Sequence, residues 1–252
     1  ALTTLALISV WQFVGIPMML IYAALLSIPD DIIEAAEMDG ITGWSQFWRI
    51  KLPLILPTPG LAAAVASEWD AQADVIDPNT MPLTRAANSA IDKVTPQFGD
   101  VAGMLAEYGG TDLLSYRADQ PAELARRQAE AWDPLVDWAA TELRAPLRIT
   151  HGVIPIAQDR QALARLRGHV EALDPFGLTA LHDLVTLPGS LVLGLAVIRG
   201  RIDASEAFRI SRIDEDFQAE QWGQDDEARI AAESRRAAML VAERFWHLSR
   251  LS

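Results

Sequence analysis

The sequence contains no cysteine, very little lysine and no charged residue in its first 29 positions. The absence of cysteine excludes disulfide bonds, thiolate catalysis and zinc sites built from Cys ligands. Lys51 and Lys93 are its two lysines, and 34 acidic residues outnumber 21 Lys and Arg residues to give a net charge of −13. A broad nucleic-acid or anionic-membrane surface needs clustered Lys and Arg. These two function classes are therefore not expected.

Sequence motifs for catalysis or metal binding are also missing. There is no G-x-S-x-G elbow, no phosphate-binding glycine loop and no H-E-x-x-H pair, and the four histidines are scattered. His182 and Asp183 are adjacent and would suit a proton-transfer pair, but a histidine held by a carboxylate for structural reasons is the commoner arrangement. We therefore expect no enzyme activity, no cofactor and no metal.

Residues 174–223 contain two halves of opposite character. The stretch from Leu184 to Ile198 has no charge and is too short to span a bilayer, which takes about 20 residues. We predict a buried core helix that starts near Pro188 and Gly189. Gly200 is expected to end it in a left-handed conformation.

The second half predicts an acidic amphipathic helix from Asp203 to Trp222. Asp203 with Glu206 three places later is a capping-box pattern, and Gly223 is expected to end the helix. Ile210, Ile213 and Phe217 lie on one face, and we expect Phe217 and Trp222 to anchor the helix to the core. Composition alone favours a solvated acidic face over a recognition surface, and adjacent carboxylates point to different faces, which argues against a metal cage.

The remainder from Pro59 onward is typical of helices with short breaks, so the predicted fold class is mainly α and multihelical. Thr58 can cap a helix that begins at Pro59, and Pro134 is expected to break or kink a helix that starts near Pro121. Two short apolar runs predict a small two-strand element: Leu113–Tyr116 and Leu147–Thr150.

Several blocks of this region resemble the assembly chaperones that guard the α subunit of the F-type ATP synthase catalytic head. These blocks are ASEWDAQADVIDPNTMPLTRAANSAID, DLLSYRA, ARRQAEAWDPLVDWA, ALHDLVTLPGSLVLGLAV and SRIDEDFQAEQWG. The resemblance implies a chaperone of the bacterial cytoplasm that binds the unassembled α subunit. It also implies a partner-binding site in the acidic helix, with these candidate residues: Asp214, Glu215, Asp216, Gln218, Trp222 and Gly223.

The uncharged run from residue 1 to 29 does not fit this chaperone. It is long enough for a transmembrane helix, which would tether the chain to the inner membrane. A buried hairpin of a soluble core is the alternative. A signal peptide is less favoured because no basic leader or small-residue cleavage site is evident.

The next segment, DDIIEAAEMDGITGWSQFWRIKLPLILP, resembles the E-A-A loop of the inner-membrane permeases of sugar-type ABC importers. In that family the loop docks onto the ATPase subunit, and the resemblance assigns that role to Glu34, Ala35, Ala36 and Gly40. We therefore predict a permease-like fragment at 1–58 and a chaperone domain at 59–252. The junction is expected within Leu52 to Gly60, as a natural fusion or an artefact of sequence assembly. An importer component is the alternative function.

Overall fold

The computed structural model describes residues 58–73, 75–152, 154–223 and 225–250. The predicted membrane segment and the permease-like motif residues Glu34, Ala35, Ala36 and Gly40 lie outside these ranges. Within them, no helix combines the length and apolar character that crossing a bilayer requires. The described residues fall into two compact units, one of residues 58–88 with 248–250 and one of residues 89–247.

The first unit contains two α-helices, α1 (Pro59–Asp70) and α2 (Pro82–Ser89), with a 3-10 turn at Pro78–Thr80 between them. The hydroxyl of Thr58 accepts the Leu61 amide at 3.1 Å, which confirms the predicted cap. The Glu68 carboxylate accepts the Leu83 and Thr84 amides at 2.9 and 2.8 Å and so caps α2 from another helix. The glutamate of the ASEWD block therefore holds these two helices together.

The second unit is also helical, as predicted. Its elements follow in chain order: π-helix Ala90–Val94, α3 (Phe98–Glu107), 3-10 turns Tyr108–Gly110 and Leu113–Ser115, β1 (Tyr116–Arg117), α4 (Ala122–Thr141), β2 (Thr150–His151), α5 (Arg160–Glu171), α6 (Pro175–Thr186), α7 (Leu191–Ile198), α8 (Ala204–Ser211), α9 (Ile213–Trp222) and α10 (Asp226–Leu248).

The predicted two-strand element is present but lies slightly later in the chain. β1 and β2 pair in parallel, with Tyr116 opposite Thr150 and Arg117 opposite His151. The preceding residues Leu113–Ser115 form a 3-10 turn instead of a strand. The Asp112 carboxylate accepts the Leu114 amide at 3.0 Å, and this local bond favours a turn over an extended chain.

Helix α4 runs without interruption through Pro134, although the sequence predicted a break or kink there. Pro134 removes one backbone donor from the helix interior. The helix is nevertheless anchored on both sides of it, because Trp132 is 0% exposed and Leu135 is 3% exposed. Tertiary packing therefore outweighs the local preference against proline.

The core of the second unit is α7, in which all eight residues are buried. It packs on α6 and α4. The helix starts at Leu191, slightly later than the start near Pro188 and Gly189 that the sequence predicted. Ser190 is the actual cap, with its hydroxyl accepting the Leu193 amide at 3.0 Å, and Leu184 belongs to α6. Gly200 ends the segment with φ +67°, as predicted.

A buried carboxylate completes the cap of α7. Asp112 is 0% exposed, accepts the Ser190 hydroxyl at 2.7 Å and accepts the Val192 amide at 3.0 Å. Burial raises the pKa of Asp112, and these hydrogen bonds oppose the increase. The aspartate of the block DLLSYRA is therefore a structural cap for the core helix.

The predicted helix from Asp203 to Trp222 consists of two helices that meet at Arg212. Asp203 caps α8 by accepting the Glu206 amide at 2.7 Å, as expected. The break follows Ser211, whose hydroxyl donates to the Phe208 carbonyl at 2.8 Å, and Arg212 has φ −103° and ψ 11°. α9 then begins at Ile213 and ends at Gly223, where φ is +89°.

Candidate partner-binding site

Helix α9 presents most of its surface to solvent. Phe217, 7% exposed, is its one buried residue, while Ile213 and Asp214 are half-buried. Glu215, Asp216 and Gln218 are exposed. Three acids in the first turn suit the positive end of the helix dipole. The helix therefore contacts the rest of the second unit through a few side chains on one side, and most of its other side chains are exposed.

Helix α4 supplies the contacts that hold α9 and the residues before it. Trp132 Nε1 donates to the Ile210 carbonyl at 3.0 Å, just ahead of α9. Gln128 Nε2 donates to Asp214 Oδ1 at 2.5 Å. Arg127 Nη1 donates to both carboxylate oxygens of Glu220 at 2.9 and 2.8 Å. One helix thus fixes α9 near both of its ends.

The aromatic contact of α9 lies beneath one of these ion pairs. The Arg127 guanidinium is 5.3 Å from the ring centroid of Phe217, within the range of a cation–π interaction. Glu123 also accepts from Arg127, at 3.0 Å. The hydrogen bonds that Arg127 donates to Glu123 and then to Glu220 raise the pKa of Arg127, so its charge is retained.

The acids of α9 differ in what they contact. Asp214 is bound by Gln128, and Asp216 pairs with Arg212 at 3.1 Å. Glu220 is bound by Arg127. Within the described residues, Glu215 and Gln218 form neither a hydrogen bond nor an ion pair. Glu215 is therefore the acid of this helix whose carboxylate is unpaired.

Trp222 lies at the end of α9 with 80% of its surface exposed. The prediction that it anchors the helix to the core is wrong, whereas the corresponding prediction for Phe217 is confirmed. Glu215, Gln218 and Trp222 are spaced i, i+3 and i+7, so they share one side of the helix. We call these three residues the α9 ridge. It combines an unpaired carboxylate, an amide and a large exposed aromatic ring.

A polar cluster lies behind the α4 contacts. Arg117 is 5% exposed and donates from Nη1 to Asp133 at 2.8 Å and from Nε to the Leu114 carbonyl at 3.0 Å. Its guanidinium lies 5.1 Å from the Trp132 ring centroid. Burial lowers the pKa of Arg117, and Asp133 opposes this. This cluster fixes Trp132, and through it the start of α9.

Two open grooves lie in the second unit. One of about 380 Å³ runs beside α9 and is lined by Arg127, Glu130, Ala131, Arg209, Ile213, Asp216 and Glu220. Arg127 and Glu220 pair with each other across this groove, and its other charged residues pair with neighbours on their own helices or at a helix end. The other, of about 410 Å³, lies between α3 and α5 and is lined mainly by Ala106, Leu163 and Arg167. Neither contains a group of residues suited to a metal ion among those the structure describes.

Comparison with known proteins identifies the family. Residues 49–140 match the model of the ATP12 chaperone protein family. The crystal structure of Atp12 from Paracoccus denitrificans is 72% identical in sequence, with a TM-score of 0.76 over 77% of this chain and 84% of that one. The chain belongs to the Atp12 chaperone family.

A second solved structure, of a chaperone candidate from Agrobacterium tumefaciens, is 36% identical with a TM-score of 0.70. It aligns with 75% of this chain and 71% of its own length. The family resemblance expected from the sequence blocks is therefore confirmed. The mainly helical fold with a parallel two-strand sheet is the Atp12 fold.

The start of the chain has different relatives. Residues 1–69 match the model of the binding-protein-dependent transport system inner membrane component. The osmoprotective compounds uptake permease protein GgtC of Synechocystis is 45% identical over 51 residues, which are 20% of this chain and 18% of that permease. The chain thus spans less than a fifth of that relative. The two family matches overlap at 49–69, which includes the predicted junction.

Sequence reasoning missed the Atp12 residues that hold α9, namely Arg127, Gln128 and Trp132. A signal was present, because Leu124, Gln128, Trp132 and Val136 recur at intervals of four and all four are buried. A glutamine in an otherwise apolar stripe indicates a buried polar contact.

The possible proton-transfer pair, His182 and Asp183, lies in α6, with His182 Nδ1 and Asp183 Oδ1 2.8 Å apart. Both side chains are nearly half exposed, at 45% and 48%. The pair lines neither of the two grooves described above. Its geometry is that of a surface hydrogen bond between neighbouring residues.

Proposed function

We propose that this Atp12-family chain binds the unassembled α subunit of the F-type ATP synthase head through the α9 ridge. It would cover the α-subunit surface that later meets the β subunit and so prevent self-association before assembly. The observation that carries the proposal is that the exposed Trp222 and the unpaired Glu215 share one side of a helix that α4 holds in place. Exposed tryptophan is enriched at sites that dominate binding energy.

The ridge suits a partner surface with an apolar pocket and a nearby basic group. Trp222 supplies the apolar contact area, and Glu215 supplies a charge that steers association and selects the partner. Asp214 and Asp216 each have a partner within the chain. Of the six predicted site residues, Glu215, Gln218 and Trp222 are therefore proposed to contact the α subunit, while Gly223 ends the helix that carries them.

The test is capture of purified α subunit by the full chain carrying an affinity tag, with suppression of α-subunit light scattering as a second measurement. The parent should retain α subunit and reduce scattering. Trp222→Ala should weaken both, whereas Ile230→Ala should leave both unchanged. Ile230 is the matched control, since it is 62% exposed on the next helix. Equal recovery with all three proteins would remove Trp222 from the contact.

A second proposal concerns the start of the chain. The match of residues 1–69 to importer permeases supports a membrane helix at 1–29 and an ATPase-docking role for Glu34, Ala35, Ala36 and Gly40. The proposed boundary near residue 58 lies within the overlap of the two family matches, and α1 begins at Pro59. Membrane fractionation of the full chain tests the helix. Capture of an importer ATPase subunit, compared between the parent and Glu34→Ala, tests the docking motif.

A further inference from the structure

A buried amide connects α9 to two other parts of the second unit. Gln128 is 1% exposed. Its Oε1 accepts the Ala118 backbone amide at 2.8 Å, just after β1, and its Nε2 donates to Asp214 Oδ1 at 2.5 Å. The Ala118 donor requires the oxygen on its side, so the nitrogen must face Asp214. The orientation of this amide is therefore fixed by both contacts.

Loss of this contact would leave a polar group of Gln128 without a partner. An unsatisfied buried donor costs more than the hydrogen bond itself contributes, because its desolvation is no longer compensated. The other side chains of α4 that hold this region donate hydrogen bonds to the Ile210 carbonyl, before α9, and to the exposed Glu220. The Gln128–Asp214 hydrogen bond is therefore the one that joins a buried side chain of α4 to the first turn of α9.

We infer that Asp214 is a positioning residue, which fixes α9 through Gln128, and that Glu215 is the acid that the partner contacts. This inference rests on the proposed function of the α9 ridge. Neighbouring residues on a helix point about 100° apart, so Asp214 faces α4 while Glu215 faces solvent. The two acids therefore have separate roles, although they are adjacent in one acidic run.

The separate roles predict that removing the charge affects α-subunit binding at position 215 but not at position 214. Asparagine at 214 retains a carbonyl oxygen that accepts from Gln128, whereas alanine does not. Glutamine at 215 preserves length but removes the charge. Asp214→Asn should therefore preserve the position of α9 and the binding of the α subunit, while Asp214→Ala should lose both. Glu215→Gln should weaken α-subunit binding as much as Glu215→Ala does.

The experiment compares the full-length parent with Asp214→Asn, Asp214→Ala, Glu215→Gln and Glu215→Ala. Hydrogen exchange of the amides of residues 213–222 is measured without any partner, and capture of purified α subunit is measured at low and high salt. Asp214→Ala should speed exchange in α9 by roughly tenfold, as expected for the loss of one buried hydrogen bond. Asp214→Asn and both Glu215 variants should leave exchange within about twofold.

Capture should then separate the two positions. The Glu215 variants should bind α subunit more weakly and with a smaller salt dependence, because an exposed charge acts through screened attraction. Asp214→Asn should bind as the parent does. If Asp214→Asn loses capture as fully as Asp214→Ala, with exchange unchanged, the charge at 214 is contacted directly and the inference is overturned. Unchanged exchange in Asp214→Ala would overturn it as well.

A double variant that exchanges the donor and the acceptor between positions 128 and 214 distinguishes loss of this hydrogen bond from a general folding defect. Gln128→Glu alone places two carboxylates face to face and should speed exchange in α9. Adding Asp214→Asn restores a donor on the α9 side, since the asparagine amide can donate to one oxygen of the carboxylate introduced at position 128 while the other oxygen accepts from Ala118. Exchange should then return towards the parent, and failure to return would overturn the inference. If the parent captures no α subunit, the proposed function fails, and exchange alone still decides the positioning role.

Discussion

Helices α7 and α9 lie close together in the chain but are held in opposite ways. All eight residues of α7 are buried, and its first turn is capped by Ser190 and the buried Asp112. In α9 one residue, Phe217, is buried, and side chains of α4 hold the helix by hydrogen bonds and an ion pair. α7 therefore contributes mainly to stability, whereas α9 is free to present its side chains to a partner.

The comparison predicts a large loss of stability for a truncation in α7. Leu195 is 1% exposed, and Leu195→Ala should lower the free energy of unfolding by about 2–5 kcal/mol, the range for a well-packed leucine. Chemical denaturation of the full chain measures this. Gln218→Ala in α9 is the control, with an expected change within about 0.5 kcal/mol. A denaturation midpoint unaffected by Leu195→Ala would show that α7 is peripheral.

A smaller loss is expected from adding one methyl group to α7. A Cβ on Gly194 would lie 2.5 Å from Val185 Cγ2 and 3.2 Å from the Leu184 carbonyl oxygen. Gly194→Ala should therefore cost about 1–3 kcal/mol through overpacking. Gly168→Ala in α5 is the matched control, since nothing lies within 4 Å of its added Cβ, and alanine there should stabilise by up to about 1 kcal/mol. Equal midpoints for the two variants would contradict the close packing of α6 on α7.

Asp112 should make the stability of the chain depend on pH. Burial raises its pKa in the folded state, so the folded protein holds this proton more tightly than the unfolded chain. The resulting stabilisation is complete below the unfolded pKa of about 3.9 and is lost as pH rises through the raised folded value. Relative to Asp112→Asn, the parent should therefore lose stability as pH increases over that window. Parallel pH profiles for the two proteins would contradict this.

Local features of the fold could be predicted from sequence, because they depend on residues that are close in the chain. Thr58 and Asp203 cap helices as expected, and the absence of charge predicted the burial of α7. Contacts between distant residues could not be predicted. Glu68 caps α2 from α1, and the Ser211 hydroxyl bond accompanies a break that capping and periodicity gave no reason to expect.

The candidate site was predicted at the level of the helix but not of the side chain. The acidic run indicated a partner-binding region, yet it did not distinguish Asp214 from Glu215. That distinction depends on Gln128, which is 86 residues away from Asp214 in the sequence. Trp222 was expected to anchor the helix to the core together with Phe217. The chain ends α9 at Gly223, and the ring remains 80% exposed.

The smallest effect on stability should come from that ring, which makes it the sharpest test of the comparison. Trp222→Ala removes a side chain with little buried surface, so the free energy of unfolding should change by no more than about 0.5 kcal/mol. Phe217→Ala, in the same helix, removes a ring that is 7% exposed and should cost about 3–5 kcal/mol. Thermal or chemical unfolding of both variants gives the contrast. A loss of several kcal/mol in Trp222→Ala would mean that the ring supports the fold. Weaker capture of α subunit by this variant would then no longer identify Trp222 as a contact with the α subunit. An unchanged midpoint combined with weaker capture would assign Trp222 to the partner, because exposed aromatic surface contributes to binding without contributing to folding.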